Sequence, residues 1–129
     1  MKSIEQIFDG KKLISIIFRN NFKDIKSNFV TKESQPLQVG IHQTLAKKVL
    51  SKHKHKAIKI ADKIKCHEVL IVQIGYLLIS FYSKDDKLIT TKKISSGDGI
   101  LVMEAVHQVT LSKNSKVIEI KQGPYTEIR

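Results

Sequence analysis

The chain has a single cysteine, Cys66. No internal disulfide can form, and a lone thiol beside His67 reads as a half-buried small residue before it reads as a metal ligand. No apolar run approaches the roughly eighteen residues of a membrane helix. The opening stretch MKSIEQIFDGKK contains acids and lacks the apolar centre of a secretory signal, so a cytoplasmic protein with no membrane partner is expected. Arginine is scarce: of 23 basic residues only Arg19 and Arg129 are Arg, and the lysines are scattered from Lys2 to Lys121 without a Gly-aromatic RNA signature. The net charge of +11 therefore reads as a solvated lysine surface, and next as attraction for an anionic small molecule; nucleic acid is not the expected partner. Glycine and proline number only six and two, and no repeat or low-complexity stretch occurs. The punctuation of the chain must come from Asp, Asn, Ser and Lys clusters.

What is present is enough for one domain: 129 residues, 41% of them hydrophobic. Within residues 4–30 the run LISIIF (Leu13 to Phe18) is rich in β-formers and is followed by the polar NNFKDIKSN. It reads as an arm or edge strand ahead of the main body, with a helical alternative left open. Residues 1–35 are assigned to this arm and 36–129 to the body. After Pro36 come short strand-like segments: LQVGIHQTL, KKVLSKHKHK, HEVLIVQIGYLLISFYS, KLITTKKIS, GILVMEAVHQVTLS and KVIEIKQ. Turn signals at SKDD, SSGDG and SKNS separate the later ones, the spacing of an all-β sandwich or small barrel. Gly75 interrupts a long apolar run, so residues 68–82 are predicted to be a hairpin.

His53 and His55 lie two apart, a spacing that in a strand puts both imidazoles on one face and Lys52, Lys54 and Lys56 on the other. Two imidazoles on one strand make a pair of metal donors; Glu68 could add a carboxylate and His107 a third imidazole. Three His and one carboxylate suit Fe, Mn, Ni, Co or Zn and leave room for substrate or water. The plainer account is that KHKHK is a solvated basic segment and His107 a satisfied core residue. His42 and His67 are spare donors.

The stretch from His53 onward resembles the two cupin motifs. HKH matches the opening HxH, and Glu68, VLIVQI, Gly75 reproduces Glu, six residues, Gly. In GDGILVMEAVH, Gly97 and Asp98 match the turn that opens the second motif and His107 its closing ligand. The resemblance implies a cupin-type jelly-roll barrel with a divalent metal held by His53, His55, Glu68 and His107. The text SKVIEIKQGPY, with PLQVG earlier, looks like small bacterial cupins of cell-surface polysaccharide and sugar-modification genes, which implies a homodimer binding a sugar-like or other polar small molecule. On chemistry alone the GP of Gln122, Gly123, Pro124 and Tyr125 is a strand-ending turn. The sequence departs from the pattern at Lys52, where proline is usual, in the long gap from His55 to Glu68, and at Met103, Glu104 and Ala105 in place of Pro-x-Gly.

Three functions are then open. The first is a cupin metalloprotein, its chemistry undetermined among isomerisation, epimerisation, dioxygenation and metal-dependent binding, with Tyr76, His67 and His42 as acid/base candidates. The second is a metal-free sugar-nucleotide ketoisomerase or epimerase using the paired histidines as proton carriers. The third is a basic non-catalytic module docking an acidic polymer or partner through Lys47, Lys48, Lys52, Lys54 and Lys56.

Overall fold

A computed structural model describes residues 2–24, 27–59 and 64–123. Among the described residues ten strands run in chain order: β1 (Ile4–Asp9), β2 (Lys12–Phe18), β3 (Ser27–Phe29), β4 (Gly40–His42), β5 (Glu68–Ile74), β6 (Tyr76–Tyr82), β7 (Leu88–Ser95), β8 (Gly99–Val102), β9 (Val106–Leu111) and β10 (Lys116–Lys121). They form a five-stranded sheet in the order β1-β2-β8-β5-β10, a three-stranded sheet β7-β6-β9 and the small pair β3-β4. Every pairing is antiparallel. The protein is all-β, with its two larger sheets packed as a sandwich that does not close into a barrel among the described residues.

The core lies between the two larger sheets. Ile7, Ile14, Ile17, Leu70, Val72, Ile100 and Val102 from one meet Leu77, Ile79, Phe81 and Ile94 from the other. A second apolar cluster occupies the opposite face of the five-stranded sheet, where Ile16, Val69, Leu101 and Met103 are covered by Val30, Leu37 and Val39 around the β3-β4 pair. Burial on both faces explains why GILV, and LISIIF apart from Ser15, whose buried hydroxyl donates to Leu101 O at 2.6 Å, are apolar instead of alternating. Ile7 pairs with Ser15 and Phe8 with Leu13, so Ile14 is the extra residue of a bulge that turns a further side chain inward.

Three local expectations are revised. LISIIF is not at the edge: it lies between β1 and β8, and the N-terminal edge strand is β1. Residues 68–82 are not a hairpin. Gly75 (φ 79°) is a corner at which the chain leaves the five-stranded sheet for the three-stranded one, β5 pairing with β8 and β10 while β6 pairs with β7 and β9. The corner needs glycine for its φ and for space, since a Cβ there would sit 2.5 Å from Ser112 Oγ. Ser112 belongs to a second crossing between the sheets, from β9 to β10, and its N–H donates to Tyr76 O at 3.0 Å while its hydroxyl accepts from Tyr76 N–H at 3.0 Å. Finally, no strand forms over the described residues 43–59; this stretch is lysine-rich and exposed.

A third crossing, the SSGDG turn from β7 to β8, is tied to the N-terminal hairpin. Arg19, buried at the end of β2, donates to Glu5 Oε2 (2.7 and 3.0 Å), Asp98 Oδ2 (3.1 Å) and Lys93 O (2.7 Å). Asp98 in turn accepts from the backbone N–H groups of Asn20 and Ser95. One guanidinium thus holds β1, β2 and the turn together, with its charge matched by two carboxylates.

Candidate functional site

Because β5 and β9 lie in different sheets, the sandwich brings Glu68 and His107 to one place from 39 residues apart. Alternation along β5 turns Glu68 inward with Leu70 and Val72. His107 on β9 accordingly meets it, Nε2 to Oε1 at 2.8 Å. The pair stands in an open groove of about 460 Å³ between the β9 and β10 edges, walled by Leu70, Leu77, Val109, Leu111 and Val117 and rimmed by Glu119 and Lys121.

The imidazole is held at both nitrogens. Its Nδ1 lies 2.9 Å from Ala105 O, and a carbonyl can only accept, so Nδ1 carries a hydrogen. Nε2 and Glu68 Oε1 then share one further proton, as imidazolium and carboxylate or as imidazole and acid. The Glu68 carboxylate raises the His107 pKa above its ordinary value, against the opposing effect of burial. The same hydrogen bond holds Glu68 below the usual carboxylate range, despite burial. Glu119 is pushed up, first because it shares a hydrogen bond with Glu68. The arrangement can therefore store a proton, or exchange it for a cation at Nε2 and Oε1.

Backbone support of Nδ1 is the usual way a metal-ligating histidine is oriented, so Glu68 and His107 fit half of a cupin-type donor set. His53 and His55 are not brought to them. Both are exposed in the strandless stretch, their rings edge to face with centroids 5.0 Å apart, and His53 Nδ1 turns back to Ser51 O at 2.6 Å. Among the described residues no group of three or more His, Cys, Asp or Glu side chains is gathered as a metal site.

The other candidates are scattered. His42 is exposed on β4, edge to face with Phe29. Tyr76 lies under the Lys93 ammonium, 4.4 Å from ring centroid to Nζ. His67 is buried with no partner at Nδ1, and burial lowers its pKa. Its backbone N–H donates to Gln122 Oε1 at 2.7 Å, which gives Gln122 a packing role; Gly123 follows β10, and Pro124 and Tyr125 lie outside the described residues. Cys66 is exposed. Glu119 and Lys121 were missed by sequence reasoning, although the alternation Val117, Glu119, Lys121 puts them on one face of β10.

No family model matches the chain, and neither a curated protein nor a solved structure matches it. No helix among the described residues is long and apolar enough to cross a membrane.

Proposed function

We propose that the groove is the ligand site of a small cupin-type metalloprotein, with Glu68 and His107 as two donors already paired and His53 and His55 supplied when the stretch 43–59 folds onto it. The carrying observation is the 2.8 Å contact of His107 Nε2 with Glu68 Oε1 beside an Nδ1 anchored on Ala105 O. A divalent ion, Fe, Mn, Ni, Co or Zn, would be held by these two atoms in place of a proton, with the imidazole still anchored through Nδ1. Leu45, Val49, Leu50 and Ile58 in the exposed stretch and Leu111 at the groove are exposed apolar side chains, which supports their meeting. The lysines of that stretch would then stand at the mouth, where a polar, sugar-like or anionic small molecule enters.

Elemental analysis of tag-free protein, with His53→Ala, His55→Ala, Glu68→Gln and His107→Ala beside wild type, tests this. Near-stoichiometric metal that falls in all four variants supports the assembled site. Metal lost only at Glu68 and His107 removes the paired histidines from it. Protein that refuses added divalent ions sinks the metal reading and favours a second one, in which the Glu68–His107 pair moves a proton in a metal-free ketoisomerase or epimerase; the 2.8 Å contact is what favours it.

A further inference from the structure

We infer that the groove takes a carboxylic acid with an aliphatic tail, its head at the Glu68–His107 end and its tail against Leu77, Leu111 and Val117. The inference rests on the groove being the ligand site proposed above, and it names the class of molecule held there.

The strand registers order the groove into three levels. At the first, Lys121 pairs with Glu68 in one wall and His107 with Phe81 in the other. The 2.8 Å contact between Glu68 and His107 sets the two walls level. At the second, Glu119 pairs with Leu70 and Val109 with Ile79; at the third, Val117 pairs with Val72 and Leu111 with Leu77. The charged residues that line the groove therefore stand at the first two levels, and the third is aliphatic throughout. Leu111 is 57% exposed although its row on β9, with His107 and Val109, faces the groove. Past the third level the groove is closed. Residues 112–115 join β9 to β10 there, and Ser112 is bonded to Tyr76 at the Gly75 corner.

A ligand lying along the groove thus meets charge at one end and only hydrocarbon at the other. The hydroxyls of a sugar would face Leu77, Leu111 and Val117 without partners, a cost that an aliphatic tail does not incur. With a divalent ion on Glu68 and His107, and Lys121 beside them, the head end is net positive despite Glu119 and suits one carboxylate. The four residues from His107 to Leu111 span about 14 Å. An extended chain advances about 1.2 Å per bond, so the groove has room for roughly eight to ten carbons.

The test is calorimetric titration of the full chain, before and after loading with zinc, with acetate, butyrate, hexanoate, octanoate, 8-hydroxyoctanoate and glucuronate. Zinc is counted by elemental analysis in the same samples. Affinity should rise about threefold per added methylene from butyrate to octanoate. The terminal hydroxyl of 8-hydroxyoctanoate should cost about tenfold, and glucuronate should bind no better than acetate. Leu111→Asn, at an exposed position, should flatten the series. Leu111→Phe, which fills the closed end, should make a shorter acid the best ligand. Zinc-loaded protein with a flat series, or with glucuronate bound above octanoate, overturns the inference and leaves the metal site standing. So does a rising series that Leu111→Asn leaves intact, because the tail then lies elsewhere. A rising series in protein that holds no zinc keeps the inference and removes the metal; neither zinc nor a rising series overturns both.

Discussion

The N-terminal hairpin and the stretch 43–59 are built from similar proportions of aliphatics, yet one is structural frame and the other lies open. In residues 12–18 three of the four aliphatics are β-branched isoleucines, and both faces of the resulting strand find cover. In residues 43–59 six lysines and no acid interrupt them, and the one lysine-free face, Val49, Ser51, His53, His55 and Ala57, is polar at its centre. Aliphatic content alone does not order a chain. A continuous apolar face does, and this stretch has none.

The largest effect that should separate the two regions is at Arg19. Arg19→Ala strands Asp98 without its counter-charge, leaves Glu5 only the longer Lys92 Nζ contact at 3.5 Å, and should lower stability by about 3 kcal/mol in denaturant titration. A loss under about 1 kcal/mol would mean the N-terminal hairpin docks without it. Next comes the core itself: Leu101→Ala, fully buried, should cost about 2–5 kcal/mol. Leu45→Ala, at a residue 89% exposed, should stay within about 0.5 kcal/mol without metal. If Leu45→Ala matched the core substitution, the stretch would be packed in the free protein and the contrast would fail.

The Glu68–His107 pair should contribute about 2 kcal/mol to the metal-free protein, read as the difference between wild type and His107→Gln. Its pH window follows from the two directions. His107 is raised, so its share is complete below the unfolded imidazole pKa and is lost as pH rises through the higher folded value. Glu68 is lowered, so its share is complete above the unfolded carboxyl pKa and is lost as pH falls through the lower folded value. Stability differences measured across pH should therefore peak between the two and vanish at both ends; a difference that is flat with pH would mean the pair is not charged. The smallest expected change is in exchange rates: amides of 43–59 should exchange freely without metal and slow on adding a divalent ion. No slowing with a bound ion would confine the ion to the Glu68–His107 pair.

Much of this was legible in the letters. The strand segments after residue 68 and the turns at SKDD, SSGDG and SKNS follow from alternation and turn chemistry, and all three turns connect strands. Gly75 announced a break in the apolar run, but not its kind: hairpin and corner both need a residue with positive φ, and only the partners of β5 and β6 distinguish them. LISIIF looked like an edge because nothing local says that a second apolar layer, around Val30, Leu37 and Val39, covers its other face.

The site divides the same way. Residue type and spacing made Glu68 and His107 candidates, while their 2.8 Å contact depends on two sheets facing each other. For His53 and His55 the strand expectation rested on alternation, which a lysine-dense stretch satisfies on paper without forming a ladder. By itself the sequence determined what is local: an all-β chain, its turns and the donors on offer, because period and turn chemistry act over a few residues. Which strand is an edge, which crossing is a corner, and which donors meet was decided by tertiary structure alone, because each depends on partners that lie far away along the chain.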